Sequence, residues 1–124
     1  MVDQSFIQYI PNIETFNNQL LHNPGIIIIK FGENLHEPHI RINKIIYNNM
    51  NQLPKTVQNM ILNVEGSTEL YTFLKNTKMV KGLPALLCFY KGNYTHIPDD
   101  GASSTNIIQI TSLFNRCYQE LTKN

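Results

Sequence analysis

Residues 26–31, Ile-Ile-Ile-Ile-Lys-Phe, constrain the fold of this chain more than any other stretch. Four consecutive isoleucines leave no polar face, and a β-branched run of this kind is a strand buried on both sides rather than one half open to water. Such a strand belongs inside a sheet that helices cover on both faces. The flanking segments fit that expectation. Upstream, residues 6–10 read as a short first strand. Ile13, Phe16, Leu20 and Leu21 then fall at helical spacing, with Asn12 as a cap, Glu14 in the first turn and Asn23-Pro24-Gly25 as the stop. Downstream, Ile42, Ile45, Ile46, Met50 and Leu53 keep a helical stripe that Pro54 closes.

The second half predicts a buried strand over residues 59–64, then a short helix carrying Leu70, Phe73 and Leu74 after the Gly66-Ser67-Thr68 turn. Strands over 85–90 and 94–97, joined at Lys91-Gly92-Asn93, read as a hairpin. Residues 98–105 read as a solvated turn. Thr105 is the predicted cap of a last helix whose Ile107, Ile110, Phe114, Cys117, Tyr118 and Leu121 share one face. The order β-α-β-α-β-α-β-β-α predicts an α/β fold with a central mixed sheet of about five strands flanked by four helices, a three-layer α/β/α sandwich. With no linker or repeat, residues 1–124 read as a single domain.

Charge and cysteine usage narrow the function classes. A net charge of +1 and a pI near 7.8 provide no field that would draw the chain onto nucleic acid. The longest purely apolar run is Ile26–Ile29, and the N-terminus carries Asp3 without a basic region, so neither a membrane span nor a secretory signal is expected. The two cysteines, Cys88 and Cys117, lie in apolar patterns and form no CxxC pair. Both read as small buried hydrophobes, which points to a reducing compartment, the cytoplasm. Abundant Ile, Asn and Lys suit an AT-rich genome, that of a protist or a large DNA virus, and a viral source would add the virion as a location.

Two longer stretches carry a resemblance. Residues 26–42, IIIIKFGENLHEPHIRI, line up with the second strand, active-site loop and long helix of the thioredoxin family, whose loop reads Trp-Cys-Gly-Pro-Cys. Leu35 takes the place of the tryptophan, His36 of the first cysteine, Glu37 of the glycine, Pro38 of the proline and His39 of the second cysteine. Residues 60–93, with Gly82-Leu83-Pro84-Ala85-Leu86-Leu87-Cys88-Phe89-Tyr90-Lys91-Gly92 inside them, resemble the family's third and fourth strands. Pro84 stands at the family's cis-proline position and Tyr90-Lys91-Gly92 at its hairpin turn. The resemblance implies a thioredoxin fold and, at Leu35–His39 with Gly82, Leu83 and Pro84, an apolar surface on which extended peptide docks. Departures are equally specific: Lys30 stands where the family often buries an aspartate, and Lys44 where its long helix often carries proline.

Disulfide exchange needs an attacking thiolate and a resolving thiol, and positions 36 and 39 have neither. The leading expectation is therefore a redox-inactive thioredoxin-like protein without a cofactor, whose partner is a protein or extended peptide. The second is metal binding. His36 and His39, three residues apart at a helix start, share a face, and the positive helix end favours neutral imidazole, the form that binds zinc, copper or nickel. Two histidines make half a site, so this reading needs Glu37 or a homodimer that supplies the pair twice. A residual thiol role would need Cys88 or Cys117 exposed with a depressed pKa. His22 and His96 read as solvated or core-edge residues.

Overall fold

The computed structural model describes residues 6–32, 37–76, 84–103 and 106–123, with side chains from residue 41 onward in the second stretch. Its elements are α1 (Ile13–Leu21), β1 (Ile26–Phe31), α2 (Glu37–Gln52), β2 (Val57–Leu62), α3 (Thr68–Asn76), β3 (Ala85–Tyr90), β4 (Asp100–Ser103) and α4 (Ile107–Leu121). The isoleucine run is the inner strand it was expected to be. All six residues of β1 are buried, and β1 pairs in parallel with β2 and antiparallel with β3 in the order β2-β1-β3-β4.

Strand alternation sends successive β1 side chains to opposite faces. Ile27, Ile29 and Phe31 meet Phe16 and Leu20 of α1 and Leu70 and Leu74 of α3. Ile26 and Ile28 meet Ile42, Ile46 and Met50 of α2 and Ile110, Leu113, Phe114 and Cys117 of α4. The result is an α/β/α sandwich with one core on each side of the sheet. Leu21, on the expected stripe of α1, instead points outward, as do Ile107 and Tyr118 in part.

Four local expectations need correction. The first strand shrinks to one parallel bridge at Ile7, held by its N–H to Asn59 O and its carbonyl from Ile61 N–H. Beyond it, Ile10 N–H turns to Ser67 Oγ at 3.2 Å and Pro11 follows, so the ladder stops. Among the described residues the sheet therefore has four strands where about five were expected. The second strand begins two residues earlier, at Val57, whose N–H is taken by Pro54 O.

Third, residues 94–97 form no strand. Asn93 Oδ1 accepts from Thr95 N–H and Thr95 Oγ1, and Asn93 Nδ2 donates to Ile97 O and Asp99 Oδ2, folding this segment into a loop. The hairpin partner of β3 is β4, inside the segment expected to be a solvated turn. Low β propensity there yields to tertiary pairing. At Gly101 a Cβ would come within 3.0 Å of Leu86 O, so the close approach of β4 to β3 favours glycine. Fourth, the cap of α4 is Asn106, whose Oδ1 accepts from Ile108 N–H and Gln109 N–H; Thr105 lies outside the described residues.

At α1 the expected cap holds: Asn12 Oδ1 accepts from Thr15 N–H at 2.8 Å. Asn12→Ala should cost about 1 kcal/mol, read as a lower urea midpoint with unchanged m-value.

Candidate functional site

The register of the sheet decides what can meet at the predicted site. Phe31, the last residue of β1, pairs with Ala85, the first of β3, so Pro84, which is buried, stands beside the exit of β1. Gly32 follows with φ 130°, a conformation that favours glycine. Helix α2 opens at Glu37, five positions after Gly32. Pro38 lies in its first turn, where a missing N–H costs nothing. His39 also belongs to that turn. The backbone thus brings Pro84 and the start of α2 to one end of the sheet. Leu35, His36, Gly82 and Leu83 lie outside the described residues, and Glu37, Pro38 and His39 are described by backbone alone. Among the described residues no group of three or more His, Cys, Asp or Glu is arranged to hold a metal.

Beneath this end lies the most unusual side chain of the core. Lys30 is fully buried on the sheet face that α2 covers. Its Nζ donates to Gly32 O at 2.9 Å and lies 5.3 Å from the ring centre of Tyr47 on α2. Burial lowers the Lys30 pKa to about 8 and raises that of Tyr47. One turn before Tyr47, Asn43 is 4% exposed, and neither polar atom of its amide has a hydrogen-bond partner among the described residues. A buried cation therefore occupies the position where the resemblance implies a buried aspartate, with a carbonyl and an aromatic face as its partners. The apolar run made the burial of Lys30 legible, but nothing in the sequence announced Tyr47 or Asn43 as its neighbours.

The cysteines are buried as expected, both at 0% exposure, so neither sulfur is placed to attack a bulky substrate. Their adjacency was not legible: Cys88 Sγ on β3 and Cys117 Sγ on α4 are 3.5 Å apart. The other two histidines fit structural roles. His22 Nδ1 lies 2.8 Å from Asn18 O on the surface. His96 touches Asn17 and packs its ring against Phe16 and Phe73, closing the edge of the α1–α3 core.

Parallel β1–α2–β2, an antiparallel β3–β4 hairpin and a final helix returning to the α2 face define an α/β/α sandwich around a mixed sheet. No protein-family model matches the chain, and no curated protein matches it in sequence. Solved structures do. The thioredoxin of Trichomonas vaginalis superposes with a TM-score of 0.68 at 16% identity, over 92% of this chain and 98% of that one. Thioredoxin O2 of Arabidopsis thaliana, in its oxidised state, gives 0.66 at 16% identity over 95% and 99%. A variant thioredoxin from Halobacterium salinarum gives 0.67 at 11% identity over 100% and 98%. The chain has the thioredoxin fold. No helix among the described residues is long and apolar enough to cross a membrane.

Proposed function

We propose that this chain is a redox-inactive thioredoxin-fold protein that binds an extended peptide or protein segment at the end of β1, through Leu35–His39 and Gly82–Pro84. The observation that carries the reading is the convergence there of Pro84, paired one residue later with Phe31, and the first turn of α2. The sequence places histidine rather than cysteine at both positions where exchange chemistry needs sulfur. A surface of this fold that lacks the exchange thiols is suited to binding backbone and apolar side chains.

The test has two arms. With dithiothreitol as reductant, the protein is expected to leave insulin disulfides intact at a concentration where a CxxC thioredoxin precipitates the chains within minutes. Peptides selected from a displayed library are expected to lose about tenfold in affinity, roughly 1.4 kcal/mol, on Leu83→Ala or Pro84→Ala. The distant Leu21→Ser should leave binding unchanged. Insulin turnover, or peptide binding indifferent to both site variants, would overturn the reading. Peptide binding or a dimer mass abolished by a chelator and by His36→Ala/His39→Ala would transfer the function to a metal held by the two histidines.

A further inference from the structure

Cys88 and Cys117 are 29 residues apart, on a strand and a helix, yet their sulfurs touch at 3.5 Å inside the core between the sheet and α4. No disulfide joins them. An ion pair lies one residue outward on the same two neighbours. Asp100 of β4 is the register partner of Cys88, and Arg116, which precedes Cys117, donates to its carboxylate from Nε at 2.6 Å and from Nη2 at 3.0 Å. Opposed residues on adjacent strands point to the same face, so the Asp100 carboxylate shares the sheet face of Cys88 and holds Arg116 beside the pair. Arg116 itself is half exposed. The cysteine pair is fully buried, beside β4, an edge strand of the sheet.

We propose that Cys88 and Cys117 form an oxidative modification site, at which a peroxide joins them as an intramolecular disulfide tying β3 to α4. The chemistry is balanced by the oxidant alone. The Cys117 sulfur attacks one peroxide oxygen, breaking the O–O bond, and becomes a sulfenic acid as the first water leaves. Cys88 sulfur then attacks the Cys117 sulfur, forming the S–S bond and expelling the hydroxyl as a second water. Two thiols lose two hydrogens and two electrons, and one hydrogen peroxide becomes two waters. Cys117 suits the first role, because the hydrogen bond from Cys88 lowers its pKa, whereas donating that bond, together with full burial, raises that of Cys88 well above the usual thiol value. Closing from 3.5 Å to a bond of about 2.05 Å asks each sulfur to move by less than about 1 Å, within the reach of a χ1 adjustment.

The experiment treats the reduced, folded chain with hydrogen peroxide, denatures it and measures intact mass and free thiols. Expected is a monomer lighter by about 2 Da, with no thiol available to alkylation and full recovery on adding dithiothreitol. Cys88→Ala and Cys117→Ala should each abolish the mass loss. Because the bridge closes a 29-residue span, the oxidised wild type should melt roughly 10 °C higher than the reduced form. Two alkylatable thiols after treatment, oxygen adducts without mass loss, intermolecular dimers, or closure only when the chain is first unfolded in urea would overturn the proposal.

Discussion

Lys30→Met is expected to stabilise the folded chain by about 2 kcal/mol near pH 7, an unusual sign for a substitution at a fully buried position. Lys30 lies in the apolar core under α2 with one carbonyl acceptor at 2.9 Å and the Tyr47 ring beside it. Neither is an anion. An ammonium donates three hydrogen bonds in water, and here the described residues supply one acceptor for it. Methionine keeps the length of the stem, fills the same space and needs no solvation. The sign of the pH dependence follows from the same burial. Below about pH 8 both the folded and unfolded chains hold the Lys30 proton, so the cost of the buried charge is constant. Between about 8 and 10.5 the unfolded chain still holds it while the folded chain has released it. Stability then rises with pH, by up to about 3 kcal/mol across the interval.

Tyr90 works against the gain at the alkaline end. Its burial and nearby Asp100 raise its pKa to about 12 from 10.0, so above about pH 10 the unfolded chain loses a proton that the folded chain keeps. Cys88, whose thiol is held protonated well above its usual range, opposes the gain in the same way from about pH 9, but it does so in both chains. Urea titrations from about pH 8 to 10 should therefore show the wild-type midpoint rising relative to that of Lys30→Met. A wild-type midpoint that does not rise relative to the variant's, or a methionine variant less stable at pH 7, would mean that an acceptor balances the ammonium.

The fold was legible where one kind of residue dominates a face. The isoleucine run announced an inner strand, and Phe16, Leu20, Ile42, Ile46, Met50, Ile110 and Phe114 all turned inward at helical spacing. Legibility failed where single side chains redirect the backbone. Residues 94–97 hold the strand formers Tyr94, Thr95 and Ile97, but the Asn93 amide captures Thr95 and Ile97. Asp99 Oδ2 accepts from Tyr90 N–H at 2.7 Å, which delays the return strand until Asp100. No local pattern marks Asp-Gly-Ala-Ser as a strand; its pairing with Ala85–Cys88 is a property of the sheet. At the site, the Phe31–Ala85 register puts Pro84 next to the exit of β1. The Lys30–Tyr47 contact and the Cys88–Cys117 pair join residues far apart in sequence, where spacing holds no information.

The largest loss of stability is expected from Phe16→Ala, about 4 kcal/mol. Helix α1 has nine residues, too few to persist in water unaided, and its buried side chains are Phe16 and Leu20. Phe16 is fully buried and meets Phe89 of β3 edge-on at 5.2 Å between ring centres. Its other side faces His96 at 6.0 Å, so truncation opens a cavity between helix, sheet and the 94–97 loop together. The chain cannot close that space by moving α1 inward. Asn12 holds the helix start, and Asn23 Nδ2 donates to Phe89 O at 2.9 Å just beyond its end. Phe16→Leu, which refills most of the volume, should cost about 1 to 2 kcal/mol. Urea unfolding of the two variants separates the possibilities. A lower midpoint at constant m-value means that α1 is part of the one cooperative unit. A reduced m-value, with amide exchange accelerated in residues 13–21 alone, would mean that α1 undocks while the sheet and its opposite core remain folded.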